Sequence, residues 1–60
     1  MKELEMAYTR RALDGIRNAI YMTECALKER GVEVKEDDEA LWALNKAKDI
    51  LQYRLIEGKK

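Results

Sequence analysis

The sequence predicts an all-α fold: an antiparallel helical hairpin that assembles as a homodimeric four-helix bundle. Three observations carry this expectation. The chain of 60 residues has no Pro and is rich in the helix formers Ala, Leu, Glu, Lys, Arg and Met. Apolar residues recur at three- and four-residue spacings on both sides of a short interruption that begins at Gly31. With one Cys and no His, the chain has neither an internal disulfide nor a His-ligated metal to hold a small core together. A single core of this size rarely yields more than ~3–5 kcal/mol. Association is the remaining way to bury more apolar surface.

The first helix is expected over about residues 2–30. Its best seam reads Met6, Thr9, Leu13, Ile16, Ile20, Thr23 and Leu27. A second seam runs beside it through Tyr8, Ala12, Gly15, Ala19, Met22 and Ala26. Together they cover about half of the helix circumference at roughly 100° per residue, an arc wide enough for two neighbouring helices. Asp14-Gly15 is a turn-like dipeptide inside this helix. The seam keeps its phase across it, so an unbroken helix is expected, with Gly15 permitting a close helix–helix approach. Thr9 and Thr23 are expected to bond back to carbonyls one turn earlier.

Gly31 is the natural residue to end this helix in the left-handed region, with Val32 as the apolar residue after it. The loop is read as residues 31–36. The second helix is read as about residues 37–57, with Asp37 as N-cap and Asp38 and Glu39 in the first turn. Its main seam is Ala40, Leu44, Ala47, Leu51 and Leu55, flanked by Leu41, Ala43 and Ile50. The whole chain, residues 1–60, is one domain.

Charge is balanced overall, with 12 basic and 12 acidic side chains. That argues against a dedicated polyanion binder. It is unevenly distributed, however: residues 31–39 carry one base and five acids, and residues 40–60 carry five bases and two acids. Helix capping accounts for the acidic patch.

Enzymatic chemistry finds little support. The carboxylates Asp37, Asp38 and Glu39 are adjacent, but acid–base work needs a pocket to shift a pKa, and a hairpin is expected to lack one of ~300 Å³. Ser is absent, and Cys25 has no activating base nearby. The acidic run lacks calcium-loop spacing. No catalytic, metal or cofactor residues are expected, and no cofactor. Lys2, Glu3, Glu5 and Arg10 leave no apolar leader at the start of the sequence, and no apolar run approaches the ~18 residues of a membrane span. A cytoplasmic protein is expected, with Cys25 reduced.

Two surfaces remain as candidates. Trp42, Asp49, Tyr53 and Ile56 lie together on the second helix, away from its main seam. Trp and Tyr are favoured at protein interfaces, so these four residues are the expected interface, with a second copy of the chain or with another protein. Trp42 is therefore expected to be more than half buried in the assembled protein. Arg10, Arg17, Tyr21 and Lys28 share a sector of the first helix and could face RNA or a protein partner. Asp14 lies between Arg10 and Arg17, and Glu24 precedes Lys28 by four residues; these intrahelical ion pairs favour reading the sector as a solvated face over an RNA surface. In gross design the hairpin resembles the Rop-type RNA modulators, which dimerise into four-helix bundles; the resemblance is architectural and carries over no residue. Small hairpin phosphatases of response regulators carry Ser-Gln-Glu-Leu-Asp on their second helix. The stretch Asn45-Lys-Ala-Lys-Asp49 shares only the Asp, so no activity is carried over. The expected function is a small non-enzymatic interaction or regulatory module that acts as a homo-oligomer. RNA binding is the alternative.

Overall fold

Two helices, α1 (Glu3–Glu29) and α2 (Glu39–Gly58), pack against each other as a hairpin in the computed structural model, which describes residues 2–35 and 38–58. Among the described residues there is no strand. The helices match the predicted spans to within two residues. Asp37, the expected N-cap of α2, lies outside the described residues. Asp38 does the capping: its Oδ1 accepts from the Ala40 and Leu41 N–H groups at 3.1 Å each. This satisfies two of the donors that open α2 and sets negative charge at the positive end of its dipole. Asp38→Ala is expected to cost about 1 kcal/mol, lowering the melting temperature by about 4–8 °C, while Asp38→Asn retains most of the stability. Thermal melts of the two variants beside the parent check this.

The end of α1 follows from two residues. Gly31 has φ +75°, which costs glycine little. The Gly31 N–H donates to the Lys28 carbonyl and the Val32 N–H to the Leu27 carbonyl, both at 3.0 Å. These two bonds close a Schellman motif and reverse the chain. Val34 then turns back, half-buried, towards Ile20, Leu41 and Asn45 at the loop end of the hairpin.

The α1 seam is the predicted one. Leu13 is buried, and Met6, Thr9, Ile16, Ile20, Thr23 and Leu27 are half-buried. The Thr9 and Thr23 hydroxyls donate to the Glu5 and Ala19 carbonyls at 2.8 and 2.7 Å, so two polar residues sit in the contact line with their hydrogen bonds satisfied. α1 runs unbroken through Gly15. A Cβ there would meet nothing within 4 Å, so Gly15 does not serve the contact between α1 and α2.

α2 is rotated from its expected setting. Leu41, read as a flank, is its most buried residue, and Ala40, read as seam, is exposed. The contact line runs through Leu41, Leu44, Asn45, Lys48, Leu51, Gln52 and Leu55. Asn45 is accommodated there because its Nδ2 donates to the Leu41 carbonyl at 2.9 Å. The rotation follows from the breadth of the apolar arc on α2: the large Leu41 takes the contact with α1, and the smaller Ala40, Ala43 and Ala47 are turned to the side.

The result is a single layer. Its principal extents are 44 × 17 × 11 Å, so it is about as thick as one helix. The radius of gyration is 13.7 Å, against about 10 Å for a globular domain of this length. Leu13 and Leu41, at 6% and 4% exposure, are the two buried side chains among the described residues.

Candidate interaction surfaces

A two-helix layer has two broad faces, and the hand of the helices decides what lies on each. Seen from the start of α1, its residues advance clockwise by about 100° each, and those of the antiparallel α2 advance counter-clockwise. Residues displaced in the same sense from Leu13 and from Leu41 therefore emerge on the same broad face.

On the first face, Trp42, Asp49, Tyr53 and Ile56 fall about 60–120° to one side of Leu41. Arg10, Arg17, Tyr21 and Lys28 fall about 40–80° to the same side of Leu13. The two surfaces separated in the sequence reading thus share one side of the hairpin. All eight residues are exposed. Trp42 is 61% exposed, so the hairpin does not fold its indole back over itself. Lys46 Nζ stands 6.0 Å from the centre of the indole ring, the outer limit of a cation–π contact. The i, i+4 spacing of Trp42 and Lys46 could have signalled this pair from sequence. Tyr21 lies beside Cys25 one turn later. A hydrogen bond with the Cys25 side chain, and then its charge, holds the Tyr21 phenol above its ordinary pKa. Asp14 and Asp49 also occupy this side, so its charge is mixed.

The second face is largely apolar, with Glu5 of α1 and Arg54 of α2 as its charged residues near the open end. Tyr8, Ala12, Gly15, Ala19 and Ala26 fall about 100–160° to the other side of Leu13, with Met22 at the outer edge. From α2, Ala40, Ala43 and Ala47 fall about 100–160° to the other side of Leu41, with Ile50 at the edge. Of these only Ala19 and Ala47 are half-buried, and the rest are exposed. An open groove of about 500 Å³ lies near the open end, where Leu4, Tyr8 and Ala12 of α1 line up with Leu51 of α2. A smaller one of about 340 Å³ at the same end is lined by Glu5, Tyr53, Arg54, Glu57 and Gly58. Grooves of this volume were not expected of a hairpin. They arise because neither face is covered by a second layer. Sequence reasoning found the second seam of α1 but not that the displaced alanines of α2 join it.

Among the described residues no group of three His, Cys, Asp or Glu side chains could hold a metal ion, and no helix is long and apolar enough to cross a membrane. Cys25 is a free, half-buried thiol. No family model, no curated protein and no solved structure matches the chain.

Proposed function

We propose that this protein is a small non-enzymatic interaction module that works as a homodimeric four-helix bundle and presents an aromatic face to a protein partner. The observation that carries the reading is the single layer itself. Among the described residues only Leu13 and Leu41 are buried, while Leu4, Tyr8, Met22, Trp42, Tyr53 and Ile56 remain exposed on its two faces. Stable domains are built from at least two packed layers, and the cheapest second layer for a hairpin is another copy of itself. Trp42, Asp49, Tyr53 and Ile56 then form the surface for the partner, since soluble proteins rarely leave large apolar patches without a use. The cytoplasm is the fitting compartment, where a lone thiol such as Cys25 stays reduced. The test is co-expression of two copies with different tags. The copies are expected to co-purify after nuclease treatment, and their failure to do so would contradict the reading.

A second reading is favoured by one observation. Arg10, Arg17, Tyr21 and Lys28 come to the same side as Trp42, Lys46 and Tyr53, so cations and stacking rings alternate over one face. That arrangement suits single-stranded RNA, with bases stacked on rings and phosphates against the cations. Asp14 and Asp49 on the same side weigh against it. If the face binds RNA, retention falls steeply with salt. The double variant Arg17→Ala, Lys28→Ala is then expected to lose it with the helical content unchanged. No retention of RNA by the parent at low salt would remove this reading.

A further inference from the structure

We infer that the second copy seats on the apolar face, with its α1 antiparallel against α1, and that the Trp42 face stays outside the dimer. The inference rests on the self-association proposed above and names the surface, the orientation and the register.

The hairpin has surface to spare for a partner. The hairpin exposes 4987 Å², against about 4,000 Å² for a folded chain of 7.0 kDa. The excess is about 1,000 Å², close to the roughly 800 Å² that each partner buries in a stable interface of standard size. One broad face of a 44 × 17 Å layer is of the right size to supply it.

Composition chooses the face. Tyr8, Ala12, Gly15, Ala19, Met22 and Ala26 alternate spacings of four and three, the repeat of a knobs-into-holes seam, and none is charged. The apolar face has Glu5 and Arg54 near its open end, whereas the Trp42 face carries Asp14, Asp49, Arg10 and Arg17 along its length, more charge for a dimer interface to desolvate.

Symmetry then fixes the register. The middle of the seam falls at the level of Arg17. A two-fold axis there, perpendicular to the helices, sets Tyr8 against Ala26 of the partner subunit, Ala12 against Met22 of the partner subunit, and Gly15 against Ala19 of the partner subunit. Each large side chain meets a small one. Gly15, which has open space around it in the hairpin, gains a neighbour.

Charge selects this axis over one parallel to the helices. A parallel axis would bring the two loop ends together, each with one base and five acids over residues 31–39. The perpendicular axis sets that acidic end beside the open end of the other copy, where Lys2 and Arg54 stand among Glu3, Glu5 and Glu57, a mix without the strong negative excess of the loop end. Like charges oppose the parallel pairing more than this one.

Disulfide trapping tests the inference. In a Cys25→Ala background, chains carrying Ala12→Cys are mixed with chains carrying Met22→Cys and oxidised, with helicity followed by circular dichroism. Both positions are exposed in the hairpin, so each helix tolerates the change. The mixture is expected to give a covalent dimer with one chain of each kind as its main product. Neither variant alone is expected to cross-link, because its own two thiols would be about 15 Å apart along the axis, beyond disulfide reach. A mixed disulfide between Ala12→Cys and Ile50→Cys chains in its place would set α1 on α2 of the partner subunit and overturn the orientation. If tagged parent copies co-purify but neither mixture cross-links, the face is wrong and self-association stands. Failure of the tagged copies to co-purify would end both.

Discussion

Leu41→Ala and Leu13→Ala are each expected to remove most of the folded population. They are the two buried side chains among the described residues, facing each other's helix from the middle of α1 and the first turn of α2. Truncating a buried Leu costs about 2–5 kcal/mol, from the lost transfer energy and the cavity left behind. A domain of this size has about 3–9 kcal/mol in total. Leu44→Ala and Leu51→Ala, at half-buried sites, are expected to cost less. Urea melts at a fixed protein concentration measure the difference. A Leu41→Ala variant that melts within a few degrees of the parent would mean that α2 does not meet α1 along the Leu41 line.

Stability is also expected to follow protein concentration. If the second layer is another copy, unfolding releases two chains, and each tenfold dilution removes about 1.4 kcal/mol from the dimer. Unfolding entropy is about 2.1 cal/mol/K per residue, so two chains of 60 residues lose about 5 °C in melting temperature for each tenfold dilution. Over a hundredfold range the fall is about 10 °C. A monomer would melt at the same temperature throughout. Trp42 adds a local report, because it is the only Trp. With the aromatic face outside the dimer, its emission is expected to stay red at all concentrations, as its 61% exposure implies. Burial of Trp42, expected from sequence on assembly, then awaits the partner protein.

The parts of the fold that were legible in the sequence are those fixed by local chemistry. Met6 to Leu27 on α1 form one uncharged line at helical spacing, and a line like that has one way to meet a partner helix. Gly31 followed by Val32 meets the two needs of a Schellman turn, positive φ and an apolar follower. Thr9 and Thr23 can satisfy their hydroxyls only along their own helix once they face α1's neighbour. Less was legible on α2. Its apolar residues spread over Ala40, Leu41, Ala43, Leu44, Ala47, Ile50 and Leu51, so periodicity defines the arc but not which edge of it meets α1. Packing at the loop end, beside Ile20 and Val34, decides that, through the size of Leu41. Asp37 and Asp38 are chemically identical as caps, and the hydrogen bonds from the Ala40 and Leu41 N–H groups assign the role to Asp38. The sharing of one face by Tyr21 and Trp42 depends on α2 meeting α1 along Leu41, a setting that the pattern of α2 leaves open.

The most direct measurement is the mass of the untagged protein in solution by sedimentation equilibrium, over micromolar concentrations and at moderate salt. A hairpin that completes its core with a second copy is expected to give twice the 7.0 kDa of the chain. A particle of 7.0 kDa across the whole range would contradict the two-layer assembly and, with it, the assignment of the apolar face.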